Sequence, residues 1–389
     1  MSTDNRSIIH FDLDAFYVHV EYLRDSHLRG KPIAVGGHSD RGVISSCSYE
    51  ARKYGVRSAM STRQAKRLCP SLIIVRGDME RYGRFSNLVT EIIRCEVPVF
   101  EKSSIDEFYI DMTGMDKFFG VIKFVQELRK KIIRESGLSI SHALATNKLI
   151  SKVATNECKP DGQSVVMPGN EKSFLAPLAI EKLPMVGNKT AIILHDLGLT
   201  TISDLSQVPK EQLVRMLGKN GIDLWRKSHG IDHSPVVSYH EQKSIGTENT
   251  FQTDTPDIEF LYKELVRMTE KIAFDLRCNN KLTGCITIKI RYSDFQTFTM
   301  QSAIDPTGND FILIKKVKEI FEKLYDKKQL VRLIGVRFTN LTEGRSQINI
   351  FEDTPEMIGL HRAIDSVKKQ FGEQFLTRAS SIKKNNTID

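Results

Sequence analysis

The chain has 389 residues, 40% hydrophobic and 27% charged, with a net charge of +8; this length predicts roughly two to four domains, and a basic balance permits a polyanionic partner. No run of about eighteen apolar residues exists, which excludes a helical membrane span, and the polar start MSTDNRS lacks a signal peptide's apolar core, so a cytoplasmic location is expected. Six scattered cysteines form no Cys-x-x-Cys pair, which argues against a structural zinc site and a disulfide framework.

In chain order, RSIIHFDL predicts a strand that ends on two aspartates, Asp12 and Asp14, beside Phe16 and Tyr17. KPIAVGG and GVISSCSY read as strands, and STRQAKRLC as a helix stopping before Pro70. SSIDEFYIDMTG is a β-rich run closed by Thr113 and Gly114. The next stretch carries Phe118, Ile122, Val125, Leu128 and Ile132 at helical spacing, with basic residues at the negative helix end. An α/β domain to about residue 168 is expected. From Glu171 to His233 short helical patterns end in glycines, predicting an all-helical unit, and DHSPVVSYHEQ reads as a linker.

The region from Lys243 to Leu341 reads strand, helix, strand, strand, helix, strand. Its first helix places Ile258, Leu261, Leu265, Met268 and Ile272 on one side. In TGCITIKIRY, Ile286, Ile288, Ile290 and Tyr292 share one face, and Thr287, Lys289 and Arg291 the other. QTFTMQ repeats the alternation with Phe298 and Met300 inward. The resulting basic open face suits a sugar-phosphate backbone and equally describes a solvated sheet surface. The tail beyond is polar until Leu360, Ile364, Val367 and Phe371 recur at helical spacing.

Two acidic pairs carry the chemistry. Like charges at a strand end repel unless they reach water or a cation, and Asp12 with Asp14 is matched by Asp106 with Glu107. Such a set offers the hard oxygen ligands that Mg²⁺ prefers. Adjacent residues on a regular strand point to opposite faces, so Asp106 and Glu107 converge only at a bend. Spacing leaves open whether Asp12 or Asp14 is the ligand. Tyr49 and Arg52, three apart, share a side if SYEARKYGV opens a helix, and Lys159 precedes a Pro-Asp-Gly turn.

DLDAFYVHVE, SYEARKYGV, SSIDEFYID and NKLISKVATNECKPDG, in this order and spacing, resemble the motifs of Y-family translesion DNA polymerases, DNA polymerase IV type. The likeness runs from residue 8 to 342. It implies a multidomain α/β and α+β right hand: a palm (1–15 and 78–168), fingers (16–77), a thumb (169–235) and a βαββαβ little finger (243–342), followed by a tail (343–389). The implied enzyme is a DNA-directed DNA polymerase of low fidelity without proofreading, acting as a monomer on primer-template DNA and dNTPs in damage tolerance. By position, Asp12, Asp106, Glu107 and the Leu13 carbonyl match ligands of two Mg²⁺ ions, with Asp14 supporting. Tyr49, Arg52, Lys159 and Ser46 match triphosphate contacts. Phe16 and Tyr17 match the nucleotide site, Tyr17 as the steric gate against a 2′-hydroxyl. Val43, Ser45 and Ala59 match the roof over the nascent base pair, and all are small.

LPMVGNKT resembles a helix-hairpin-helix, implying DNA contacts at Gly187, Lys189 and Thr190, with Lys289 and Arg291 of the open sheet as further candidates. Met185 stands where that motif has its first glycine. SQINIFED resembles a peptide that docks on the bacterial sliding clamp, with Gln347, Ile348, Ile350 and Phe351 as anchors. A haloacid-dehalogenase-like phosphatase using Asp12 and Asp14 is a rival reading. It leaves Asp106, Glu107 and the second half of the chain unexplained.

Overall fold

The computed structural model describes residues 6–39, 41–115, 120–239, 241–344, 355–372 and 375–379. It forms two compact units, Met1–His240 and Glu241–Asp389. In the described residues no helix is long and apolar enough to cross a membrane.

The first unit runs β1 (Ile8–Leu13), α1 (Phe16–Arg24), β2 (Ile33–Gly36), β3 (Ile44–Cys47), α2 (Tyr49–Lys53), α3 (Thr62–Leu68) and β4 (Ile73–Val75). It continues with α4 (Met79–Glu96), β5 (Phe100–Lys102), β6 (Glu107–Asp111), α5 (Val121–Ser136), β7 (Ile140–Ala145), α6 (Lys148–Cys158) and β8 (Gln163–Val165). One sheet has the order β5-β6-β1-β7-β8 and a smaller one β3-β2-β4. β1 is central and buried along its whole length. Its Ile9, Phe11 and Leu13 join the core that α4 and α5 supply through Val89, Ile93, Val125, Leu128 and Ile132. Period-two alternation then turns Ile8, His10 and Asp12 to the opposite face, where Thr155 of α6 donates to the His10 carbonyl at 3.1 Å. The predicted helical face is rotated slightly in α5: Val121 is buried and Ile122 exposed, while Phe118 lies outside the described residues.

Helices α7 (Glu171–Leu175), α8 (Asn188–Asp196), α9 (Ile202–Gln207), α10 (Lys210–Leu217) and α11 (Lys219–Ser228) follow. Their Leu175, Leu194, Ile202, Leu213 and Leu224 form one core with Ile150 and Val153 of α6. A capping box between Thr201 and Asp204 starts α9. Half of the predicted linker is fastened back onto this unit. Asp232 accepts from the Leu149 amide at 3.0 Å, Val237 donates to Glu101 at 2.9 Å, and Asn147 donates to the Gly230 carbonyl at 2.9 Å.

The second unit is the predicted βαββαβ: β9 (Ser244–Thr255), α12 (Ile258–Cys278), β10 (Lys281–Tyr292), β11 (Thr297–Thr307), α13 (Asp310–Leu324) and β12 (Val331–Glu343). The sheet order is β11-β10-β12-β9, antiparallel throughout. Ile286, Ile288, Ile290 and Tyr292 are buried beneath the helices as expected. Phe298 lies opposite buried Ile290 and so projects to the helix side as expected, yet it is 43% exposed; it stands near the start of the edge strand β11, with its ring 5.8 Å from that of Tyr292.

The tail helix α14 (Pro355–Phe371) docks in an inverted way. His361, Asp365 and Lys368 are buried, whereas Leu360, Val367 and Phe371 are exposed. Arg277 of α12 grips both Asp365 oxygens at 2.8 Å, and it also bonds Asp310 at 2.5 Å.

Candidate active site

The antiparallel register places Glu107 of β6 directly opposite Asp12 of β1. Facing residues of an antiparallel pair project to the same side, and like charges so placed are destabilising unless compensated. Asp106 lies in the bend just before β6 begins, as convergence of the two neighbouring carboxylates requires. Its carbonyl accepts from the Leu13 amide at 3.0 Å, which locks the two strand ends together. Its carboxylate accepts from Ser104 Oγ at 2.6 Å.

Compensation comes from α6. Lys152 donates to both Glu107 oxygens, at 2.7 and 2.9 Å, and Lys159 forms an ion pair with Asp12. One turn before Lys152, Lys148 grips both oxygens of Glu101 in the same manner. Lys159 is held in register by the turn after it, because a Cβ on Gly162 would lie 1.8 Å from the Cys158 carbonyl oxygen. Burial pushes the Asp12 carboxyl up to about 7; Lys159 opposes the rise, and Glu107 and Asp106 add to it.

Asp14 is separated from this group. It is fully buried and accepts from Ser139 Oγ at 2.6 Å, Ser141 Oγ at 2.8 Å and the Asp161 amide at 2.9 Å. Its lone pairs are thus taken up in tying β1 to β7 and to the turn after α6. The carboxylate beside Glu107 thus belongs to Asp12.

A cavity of about 260 Å³ gathers Asp12, Leu13, Phe16, Tyr17, Ser46, Arg52, Asp106 and Lys159, with Ala15, Ser45, Ser58 and Ile105 completing its lining. The donor set fits a hard divalent cation, since carboxylate oxygens converge where two ammonium groups already supply positive charge. Ligand atoms of His10, Asp12 and Glu107 lie within 4.8 Å of one another. His10 thus joins this group, and Asp106 lines the cavity with Asp12.

Tyr49 and Arg52 do share a side of α2, with the guanidinium 4.5 Å above the ring. Tyr49 is turned toward Asp14, its hydroxyl 3.5 Å from the carboxylate. α1 starts at Phe16 after Ala15, whose φ is 40°, and no side chain caps it, so its first amide groups stay available beside the cavity. The Tyr17 ring is stacked on Tyr82 of α4. Val43 and Ser45 alternate along β3 on the exposed side, and the Ala59 amide bonds the Ile44 carbonyl between them at 2.8 Å.

The remaining candidates lie apart. Gly187 is the N-cap of α8, with Lys189 and Thr190 in its first turn and no side-chain cap. Met185 adopts φ 84°, the left-handed conformation that glycine takes without strain. On the open sheet face, Lys289 is paired with Glu248 at 2.9 Å and Arg291 donates to Thr297 Oγ1 at 2.8 Å. Gln347, Ile348, Ile350 and Phe351 lie outside the described residues.

Sequence reasoning missed Lys148, Lys152, Glu21 and Tyr82. The first two are spaced i, i+4 on α6 and were legible as one face. The last two meet through a bond spanning 61 residues.

Residues 11–156 match the impB/mucB/samB family and residues 242–350 its C-terminal domain, while residues 181–232 match the thumb domain described for DNA polymerase-iota. The chain is 35% identical over 371 residues to a DNA polymerase IV of Dehalococcoides mccartyi, covering 94% of this chain and 95% of that one. It is 37% identical over 343 residues to a DNA polymerase IV of Streptococcus pneumoniae, covering 86% and 97%. A Y-family DNA polymerase chimera superposes with a TM-score of 0.77 at 25% identity, over 87% of this chain and 99% of that one. Relatives matched along nearly their whole length, and a carboxylate pair set against α6 lysines at the mouth of one cavity, place the chain in the Y-family of DNA polymerases as a DNA-directed DNA polymerase of the DNA polymerase IV type.

Proposed function

We propose that the chain adds dNTPs to a primer 3′-hydroxyl on damaged as well as intact templates, at low fidelity and without proofreading. The observation that carries this reading is the cavity where Asp12, Asp106, Tyr17, Arg52 and Lys159 meet. Asp12, Asp106, Glu107 and the Leu13 carbonyl hold two Mg²⁺ ions, which supply charge stabilisation for in-line phosphoryl transfer when bound. Lys152 and Lys159 hold Glu107 and Asp12 in place, and Lys159 with Arg52, Tyr49 and Ser46 would bind the triphosphate. The uncapped start of α1, at Phe16, adds backbone amides to the same anion. Catalysis follows from alignment and from fixed positive charge around the transferring group.

Tyr17 lies under the sugar as a steric gate. Val43, Ser45 and Ala59, small side chains on an exposed edge, cover the nascent base pair loosely, and such a roof tolerates distorted templates. The palm is 1–15 with 78–168, the fingers 16–77, the thumb 169–235 and the little finger 243–342. Gly187, Lys189 and Thr190 hold the DNA backbone at the start of α8, and Lys289 and Arg291 do so on the open sheet. Gln347, Ile348, Ile350 and Phe351 tether the enzyme, working as a cytoplasmic monomer, to the sliding clamp.

Primer extension on plain and lesion-bearing templates tests the reading. Asp106→Ala should abolish extension while leaving primer-template affinity within about twofold, because metal charge stabilises the transition state by several kcal/mol and contributes little to DNA binding. Robust extension by this variant would sink the assignment.

A further inference from the structure

Tyr17 is backed by a second ring. The faces of Tyr17 and Tyr82 stack with centroids 4.3 Å apart at 14°, and Phe16 meets the edge of Tyr82 at 6.2 Å. Tyr82 is fully buried, and its hydroxyl donates to Glu21 Oε1 at 2.7 Å. Glu21 is itself 1% exposed, an uncommon place for a carboxylate without a task. It sits four residues after Tyr17 on α1, one turn along the same face. The contacts therefore close a circuit, from Tyr17 through Tyr82 to Glu21 and back along α1.

We propose that Tyr82 and Glu21 are positioning residues for sugar selection, Tyr82 as the backstop of the Tyr17 ring and Glu21 as the anchor of Tyr82. This deepens the reading of Tyr17 as the steric gate and rests on it. A ring excludes one extra hydroxyl only if it cannot retreat, and a close-packed neighbour behind it removes that freedom. The hydroxyl bond to Glu21 fixes the neighbour in turn, because a tyrosine anchored at both ring and oxygen can neither slide nor tilt. Neither residue touches the substrate; both act through Tyr17.

The test is single-nucleotide incorporation by the full chain on primer-template DNA with Mg²⁺, reading the ratio of kcat/KM for a dNTP over the matching rNTP. Tyr82→Leu should lower that ratio about tenfold, equal to about 1.4 kcal/mol of discrimination. Tyr82→Phe keeps the stack and loses only the bond, and Glu21→Leu loses the same bond from the other side. Each should lower the ratio by a similar smaller factor, and their combination no further than either alone. Glu21→Gln keeps an acceptor and should restore the native ratio.

In a Tyr17→Ala background, itself strongly relaxed toward ribonucleotides, Tyr82→Leu should change nothing more. An unchanged ratio in both Tyr82→Leu and Tyr82→Phe overturns the inference while leaving the gate intact. So does an equal effect of Tyr82→Leu with and without the Tyr17 ring. If Tyr17→Ala itself leaves the ratio unchanged, the gate reading fails, and the inference with it. Tyr82→Phe preserves the shape of the buried ring and so keeps the test open should Tyr82→Leu not fold.

Discussion

Lys152→Met removes the cation on Glu107, one of two carboxylates that the sheet register forces together. Its ammonium makes two bonds of 2.7 and 2.9 Å to Glu107, with the side chains 28% and 19% exposed. Breaking a fully buried pair costs about 3–5 kcal/mol, and discounting for this degree of solvent access leaves about 2 kcal/mol. For a unit of this size about 2 kcal/mol lowers the melting temperature by roughly 4–8 °C. The more telling quantity is the response to Mg²⁺. A ligand at one hundred times its Kd stabilises by about 2.7 kcal/mol, and each further tenfold gain in affinity adds about 1.4 kcal/mol. Without the competing ammonium the Glu107 carboxylate is freer to take metal, so Mg²⁺ should stabilise the variant more than the native chain and close over half of the gap. Calorimetric scans with and without Mg²⁺ measure this directly. A gap of equal size in both conditions would show that Lys152 and the metal do not compete for Glu107.

Other outcomes follow from the same geometry. Because burial raises the Asp12 carboxyl to about 7, the metal-free folded chain carries a proton there between the ordinary aspartate range and about 7, and metal binding in that window must release it. Titration calorimetry in buffers of different ionisation enthalpy should then show Mg²⁺ affinity falling by up to about tenfold per pH unit below 7, with proton release. Met185→Gly relieves a left-handed φ of 84° and should raise stability by about 1 kcal/mol, with tighter duplex binding; denaturant melts and a DNA titration check both. Replacing Gln347, Ile350 and Phe351 with alanine should spare extension on a short primer-template and abolish stimulation by a loaded clamp, because a tether changes effective concentration and leaves the chemistry alone.

Periodicity made the second unit legible almost element by element, since β10 alternates buried Ile288, Ile290 and Tyr292 with half-buried Lys289 and Arg291, although Thr287 on the same face as the basic pair is buried. The clustered carboxylates were legible as motifs, yet their partners were not. Asp12 and Asp14 would share a face if the strand ran on, but β1 ends at Leu13; spacing alone does not show that Asp14 leaves that face in the turn and is tied to Ser139 and Ser141. Lys152 belongs to a run whose function reads only once α6 is laid across the strands. Phe298 is on the expected face but stays 43% exposed, because alternation says nothing of whether a helix extends over the edge of a sheet. The strap from Asp232 to Val237 reads as free linker in the sequence, because its anchors Leu149 and Glu101 lie far off along the chain.

The inverted docking of α14 has a thermodynamic signature. Unfolding or release of most helices uncovers apolar surface and raises the heat capacity of the system in proportion. Among the described residues of α14, Leu360, Val367 and Phe371 are exposed and Ile364 is half-buried, while Arg277 across Asp365 ties the helix to α12. Its departure should therefore bring a smaller change in heat capacity and a weaker dependence on urea than that of a helix docked by its apolar face. Hydrogen exchange at the α14 amides would register that departure as an early, separate opening, because protection there tracks an ion pair and not a core.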